Sequence, residues 1–372
     1  MTTVQSFDAR LVRVPLTRPW AADVTSVGVI ATHVVRSDGV EGWGFSWTPQ
    51  IGAEAVHAML VNDVPAVGTD ADPEASWDAR WRHLHEAGGG GVTTIALAGL
   101  DLALWDAAAR AADVGIAELL GRRRDAVRAY GSGVNLHYSQ DELLAQVQRW
   151  IDAGFSAVKI KVGKPDLRED VERVSAVRDL LGPDRALMID ANQRWDLDTA
   201  TTALESLAAF DLAWIEEPLR ADDLSGHAQL ARRIDVPLAV GENLHTAYRF
   251  EEYLRAGAAQ IVQPNVVRVG GITPFRRIAA LATEHGAALH PHLLPELSGQ
   301  LALTLDGEPW AEDVEDAGFG ALGALADPSP VSISDGTLTV VPHDGLGLRF
   351  RSPSTSSDTA AAPVTPLERD QT

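Results

Sequence analysis

No cysteine occurs in the 372-residue chain. Disulfides, thiolate nucleophiles and zinc–sulfur sites are therefore excluded. Positive charge is also scarce: 31 Lys and Arg face 52 Asp and Glu, for a net charge of −21 and a sequence pI of about 4.8. Such a surface repels phosphate backbones, so no nucleic-acid partner is expected. No apolar stretch approaches the roughly 20 residues that a membrane helix needs. The N-terminal "MTTVQSFDARLVRVPL" lacks the basic segment and apolar run of a signal peptide. The expectation is a soluble, cytoplasmic protein with no membrane partner. A G-x-G-x-x-G after the first strand is missing too, which argues against a dinucleotide site.

What is present is an ordinary globular composition, 45% hydrophobic and 22% charged. The first part, 1–125, mixes strand and helix. "VGVIATHVVRSDGVEGWGFS" reads as two strands about an Asp-Gly turn. "VTTIALAGLDLALWDAAARAA" reads as a long buried helix on which Asp101, Trp105 and Asp106 have structural roles. From 126 to 325 the pattern changes. The short apolar runs "VRAYG", "SAVKIKV", "ALMID", "LAWIEE", "PLAVGE", "AQIVQPN" and "AALHPH" alternate with amphipathic helical stretches. Strand and helix repeating in this way predict a parallel α/β fold, and at least seven units favour a closed barrel. Residues 326–350 read as strand, turn and strand returning to the first domain. Residues 351–372, rich in Ser, Thr, Pro and Ala, read as a disordered tail.

Chemistry concentrates where the apolar runs end. Asp190, Glu216 and Glu242 close three successive runs, each 26 positions after the one before. In a barrel these are C-terminal strand ends, which converge at the mouth. Three carboxylates brought together require a cation, and all-oxygen ligation suits Mg²⁺, with Mn²⁺ also compatible. Lys159 and Lys161 alternate with Val158, Ile160 and Val162, so the two lysines share one strand face. Because Asp190 follows Lys161 by about one unit, that face lies inside the mouth. A second cation favours the neutral form of a lysine, so Lys161 suits a base, with Lys159 lowering its pKa or binding a substrate carboxylate. His290 and His292 occupy alternate positions on a later strand. Asn265 ends the strand before it, placed to hydrogen-bond and orient the His292 imidazole.

As a set, these motifs resemble the enolase superfamily and, within it, the mandelate racemase subgroup. They are "KIK" at 159–161, "DAN" at 190–192, "WIEEP" at 214–218, "GEN" at 241–243, "QPNVVRVGGIT" at 263–273 and "HPHLLPE" at 290–296. The resemblance implies an α/β fold: a modified TIM barrel, (β/α)7β, with an α+β N-terminal capping domain. It implies Mg²⁺ held by Asp190, Glu216 and Glu242. It also implies Lys161 and His292 as acid/base groups on opposite faces of the substrate α-carbon, and Glu312 hydrogen-bonding the substrate carboxylate. Glu217 is expected to point away from its neighbour Glu216. A muconate-lactonizing member would carry a lysine near Val266, where this chain reads "NVVR"; Arg268 is left as an anion contact. Racemase-like members pair the histidine with an aspartate, whereas Asn265 supplies no charge. That departure favours removal of the α-proton by Lys161 with a lesser role for His292.

The expected reaction is loss of the proton α to a carboxylate through an enediolate, followed by loss of a β-hydroxyl from an acid sugar to give a 2-keto-3-deoxy acid. Racemisation or epimerisation of a 2-hydroxy acid is the alternative, and a catalytically silent binding protein the third reading. Asn192 of "DAN", Trp20 and Trp47 in capping segments (Trp43 is a further one), and Asn135, His137 and Tyr138 after the first barrel strand are candidate substrate contacts. The expected partner is a small carboxylate, and the family suggests a homo-oligomer, octamer or dimer.

Overall fold

The computed structural model describes residues 2–21, 24–66 and 68–351. The tail expected at 351–372 lies outside the described residues from 352 onward.

Strands β1 (Val4–Pro15), β2 (Ser26–Arg36) and β3 (Glu41–Thr48) form an antiparallel sheet in that order. Helices α1 (Ala53–Asn62) and α3 (Val92–Ala111) pack on it, α2 (Pro73–Leu84) packs against α3, and the short α4 (Ile116–Leu119) follows. Contrary to the expectation, α3 is long and apolar enough to cross a membrane by length and composition. It is instead the central helix of this domain, with 83% of its apolar window buried. It is apolar on nearly every side because β2 and β3 cover one face while α1, α2 and a barrel helix cover the others. The contact with β3 is so close that a Cβ on Gly44 would lie 2.4 Å from the Ala103 nitrogen. The polar residues of α3 are ties. Asp101 accepts from Thr273 N at 3.0 Å and Thr273 Oγ1 at 2.6 Å, and Trp105 Nε1 donates to the same hydroxyl at 3.0 Å. Burial lifts the Asp101 pKa to about 7, although Thr273 opposes the shift.

The barrel strands β4 (Ala126–Ser132), β5 (Ala157–Lys161), β6 (Ala186–Asp190), β7 (Leu212–Glu216), β8 (Leu238–Val240), β9 (Ile261–Val262) and β10 (Ala288–Leu289) pair parallel in chain order. β11 (Trp310–Val314) pairs parallel with the other side of β4. Between them run α5 (Gln140–Asp152), α6 (Leu167–Leu181), α7 (Leu197–Leu207), α8 (Leu224–Leu230), α9 (Ala247–Arg255), α10 (Ile272–His285) and α11 (Pro295–Ala302). The architecture is the expected (β/α)7β barrel. Local chemistry starts the helices: Ser139, Asp166, Asp196, Asp223 and Thr246 each accept a first-turn backbone N–H at the N-termini of α5 to α9.

The final hairpin departs from expectation. β12 (Val331–Ser334) and β13 (Thr337–Val340) join through Asp335-Gly336, both at positive φ, as a two-residue turn requires. β13 pairs antiparallel with β4, so the hairpin extends the barrel sheet and not the capping sheet. The entry half of β4 has a free edge there because β5 pairs only with its last two residues. The return to the first domain is made after the hairpin, where Leu346 N donates to Asp106 and Arg10 donates to the Phe350 carbonyl.

Inside the barrel the strand period of two sorts residues into layers. Tyr130, Ala157, Met188, Trp214, Ala239 and Ile261 form an inner cluster. Two residues further along each strand stand Ser132, Lys159, Asp190, Glu216, Gly241 and Gln263. Val158, Ile160 and Val162 belong to the core shared with the helices. The lysine face of β5 is therefore the inner face.

Candidate active site

Register places the site residues. Lys161 pairs with Asp190, and Asp190 pairs with Glu216, so a lysine and two carboxylates stand side by side on three adjacent strands. Lys159, fully buried two residues before Lys161 on the same strand face, donates to Glu216 Oε2 at 2.6 Å. It lies 2.8 Å from Glu312 Oε1 and 4.0 Å from Asp190 Oδ2. Burial pulls its pKa down, but Glu216 and Glu312 outweigh that, and the net shift is well upward. Lys159 is a fixed cation.

Lys161 Nζ lies 2.5 Å from Asp190 Oδ2. Burial lowers its pKa most and Lys159 lowers it further, but Asp190, Glu242 and Glu216 together raise it by more, and the net shift is upward. The sequence suggested a lowered value. The difference arises because the carboxylates facing Lys161 outweigh the neighbouring cation. Glu216 is itself lifted to about 7, first by burial and then by Asp190, Glu312 and Glu242, against Lys159.

Glu312, on β11, accepts from Ser132 Oγ at 2.8 Å and from Leu293 N at 2.9 Å. Burial would raise its pKa, but Lys159 and His292 hold it at about 2. As an ionised carboxylate it accepts and cannot donate to a substrate carboxylate. In this structure it anchors Lys159.

His292 Nε2 lies 2.6 Å from Glu242 Oε2. On the other side of the ring, Asn265 Nδ2 faces Nδ1 at 3.1 Å, as its position one unit earlier suggested. The amide cannot flip cheaply, because Asn265 Oδ1 accepts from Val267 N and Arg268 N, both at 3.1 Å. An amide nitrogen only donates, so Nδ1 accepts and Nε2 carries the ring proton. Burial pulls His292 down while Glu242 and Glu312 pull it up to a net raised pKa. In either protonation state Nε2 bears a proton directed at the site.

Among the described residues, one group of three offers ligand atoms all within 4.8 Å of one another: Glu216, Glu242 and His292. The expected set was Asp190, Glu216 and Glu242. Asp190 is drawn instead onto Lys161 and the Asn192 backbone N–H at 2.7 Å. Glu216 Oε1 is buried with no hydrogen-bond partner, an oxygen that a cation would satisfy. The donor set is dominated by oxygen, as a hard cation prefers.

A cavity of about 1040 Å³ opens above Lys161 and brings together Trp20, His137, Lys161 and Asn192 from the sequence-based candidates. Other candidates lie elsewhere. Asn135 is fully buried; its Oδ1 accepts from Lys161 N at 2.9 Å and its Nδ2 donates to Gln146. It therefore holds the Lys161 backbone and does not line the cavity. Trp47 is buried on β3, where it packs against Trp20 at 6.1 Å, and neither Trp47 nor Tyr138 lines the cavity. Trp43 stacks on His33 in the capping sheet. Arg268 is occupied by the Glu242 carbonyl and Asn243. Glu217 does not point away as strand alternation suggested. β7 ends at Glu216, and Glu217 takes φ 39°, burying its carboxylate against Asn243. The cavity wall also contains Lys164, Arg194 and Trp195, which the motifs did not indicate. A second cavity, of about 800 Å³, lies beside α10 and the 304–309 segment and contains none of the strand-end carboxylates.

A two-domain α/β barrel with lysines, carboxylates and a histidine on its inner strand ends defines the enolase class of fold and site. Residues 6–121 match the mandelate racemase/muconate lactonizing enzyme N-terminal domain, and residues 142–354 match the enolase C-terminal domain-like family. The chain belongs to the mandelate racemase/muconate lactonizing enzyme family. It is 38% identical to the 3,6-anhydro-α-L-galactonate cycloisomerase of Streptomyces coelicolor, over 86% of this chain and 88% of that protein. It is also 38% identical to the L-talarate/galactarate dehydratase of Salmonella typhimurium, over 87% of this chain and 81% of that protein. The crystal structure of L-talarate dehydratase from Polaromonas sp. JS666, complexed with Mg and L-glucarate, superposes with a TM-score of 0.85. That comparison has 36% identity and covers 94% of this chain and 96% of the other.

Proposed function

We propose that this protein is a Mg²⁺-dependent lyase that removes the proton α to the carboxylate of an acid sugar and expels the β-oxygen. The observation that carries this reading is the juxtaposition of Lys161, level with Asp190 and Glu216, and a His292 whose Nε2 bears a proton. Asp190, Glu216 and Glu242 would hold the metal, with the unpartnered Glu216 Oε1 among its ligands. Bound there, Mg²⁺ supplies the positive charge that makes a carboxylate α-proton acidic. Once the carboxylates around Lys161 are neutralised, Lys159 beside it favours the neutral amine, and Lys161 Nζ takes the α-proton.

His292 acts second. Asn265 holds its proton on Nε2, so it gives that proton to the departing β-hydroxyl, which leaves as water. The enol that remains becomes the 2-keto-3-deoxy acid. Lys159 stays charged throughout and steadies the developing negative oxygen, itself positioned by Glu312. If the β-oxygen is part of a ring, the same steps open the ring without loss of water. The site then acts as a cycloisomerase, a reading favoured by the 38% identity to an enzyme of that name. Racemisation needs a base on the His292 side, which the Asn265 amide does not provide.

The test is incubation with Mg²⁺ and a panel of acid sugars in D₂O, with products read by NMR and mass spectrometry. Formation of a 2-keto-3-deoxy acid is the expected result. Deuterium entering at the α-carbon with inversion, and no loss of the β-oxygen, would replace the lyase by a racemase or epimerase. Binding without α-exchange for every sugar would make it a non-catalytic binding protein.

A further inference from the structure

The chain contains only three lysines, at 159, 161 and 164. Wherever else a positive side chain of fixed charge was needed, the sequence uses arginine. Lys159 and Lys161 belong to the inner layers of the barrel. The third lies in the turn after β5, and that turn is built. The buried Asp170 Oδ2 accepts from Gly163 N at 2.8 Å and Lys164 N at 3.0 Å. The Lys164 side chain lines the cavity above Lys161. Its ion pair with Glu169 is loose, at 3.9 Å, and Glu169 is 55% exposed.

Arg194 stands on the same wall. Its stem crosses Gly163 so closely that a Cβ there would lie 2.6 Å from Arg194 Cδ. Gly163, at φ 104°, is thus required both by its backbone and by the arginine above it. The guanidinium of Arg194 makes no hydrogen bond or ion pair with any described residue. In a chain with 52 acidic residues, two cations lining one cavity, one without an ion pair and the other with only a loose one, mark a place reserved for an anion.

We propose that Lys164 and Arg194 form a distal anion site that takes the second carboxylate of a dicarboxylic acid sugar, a proposal that rests on the α-proton-abstraction reading above. With the reacting end of the sugar at Lys161, its far end extends along the cavity toward these two side chains. A monoacid would present a neutral hydroxymethyl group there and leave both cations without a partner. A terminal carboxylate matches the planar fork of Arg194 and the point charge of Lys164. Asn192 and His137, on the same wall, suit the hydroxyls in between.

The test compares kcat/KM for galactarate and galactonate with Mg²⁺, in the native protein and in Lys164→Gln, Arg194→Gln and Lys164→Arg variants. The native protein should favour the diacid by at least about tenfold. Each glutamine variant should lower the diacid-to-monoacid ratio by roughly tenfold to a hundredfold, chiefly through KM, the range expected for one charge-assisted hydrogen bond. Lys164→Arg should restore most of the ratio. A native preference for the monoacid, or a ratio unmoved by both glutamine variants, would overturn the distal site. If neither sugar exchanges its α-hydrogen in D₂O, the lyase reading fails. Calorimetry with Mg²⁺ and the same two acids then decides the distal site alone: tighter galactarate binding that Arg194→Gln weakens upholds it, and equal binding of the two acids rejects it.

Discussion

Two neighbouring layers of the same barrel, built by the same strands, have opposite chemistry. The lower one is Tyr130, Met188, Trp214 and their neighbours, closed by aromatic contacts such as Tyr130 against Trp214 at 5.6 Å. The upper one, two residues further along each strand, is made of Lys159, Asp190, Glu216 and Glu312. The contrast is sharpest at the histidines. His290 stacks on Trp214 at 5.2 Å and accepts from Trp310 N, and burial drives its pKa down to about 4. His292, two residues later, is raised by Glu242 and Glu312 despite its own burial. The residue type is constant; the layer sets its role. A barrel can therefore carry a costly group of buried charges at its mouth above a layer that is buried and packed.

The contrast can be broken most completely from above. Chelating Mg²⁺ should bring turnover to background and adding it back should restore it. In the same samples Mg²⁺ should raise the melting temperature, as any ligand of the native state does. Lys161→Ala should cut α-proton exchange by on the order of 10²- to 10⁴-fold, the usual contribution of one general base. Exchange at the native rate would remove Lys161 from that role. Asn265→Asp should sharpen the distinction between His290 and His292. A carboxylate accepts from Nδ1–H, so Nε2 is freed as a base, and deuterium should enter with inversion roughly tenfold faster than in the native protein. An unchanged stereochemical course would mean that the amide does not set the His292 tautomer.

Changes below the charged layer should be smaller and of another kind. His290→Phe leaves the Trp310 N–H without its acceptor and should cost about 1–3 kcal/mol in denaturant unfolding. The α-exchange rate of the folded enzyme should hardly move. An effect of pH is expected at the tie between the two domains. The folded Asp101 pKa, about 7, lies above its ordinary value of 3.8. The native state therefore holds more protons than the unfolded chain between these pH values, and this group's contribution to stability falls as pH rises through that window. Relative to Asp101→Asn, the native protein should lose melting temperature from pH 4 to pH 7 and then level off. A parallel pair of pH profiles would contradict this.

Much of this was legible in the sequence because it follows from period and spacing. The alternating lysines of β5 survive as an inner face and the interval from Asp190 to Glu216 as a level of the barrel, while Glu242 lies just beyond the end of β8. The losses have local causes. Glu217 was misplaced because strand alternation stops where φ turns positive. Asn135 looked like a loop residue facing substrate but is buried against the Lys161 backbone, a contact that no spacing rule reveals. The closing hairpin was assigned to the wrong sheet because strand pattern identifies strands and not their partners. Arg194 left no signal, being one arginine among many. Lys164 did leave one, in the distribution of lysine along the chain and not in any motif.

That distribution has a practical side. Primary-amine reagents normally scatter over a protein surface; here every side-chain target falls within six residues of one strand and turn. Lys159 is sealed in the barrel, Lys161 is nearly so, and Lys164 faces the cavity. Reductive methylation with ¹³C-formaldehyde should therefore place NMR probes at the mouth and, besides those, only on the chain's α-amino group. Immobilisation through amines, routine for other enzymes, should tether this one by its own entrance or by its α-amino group.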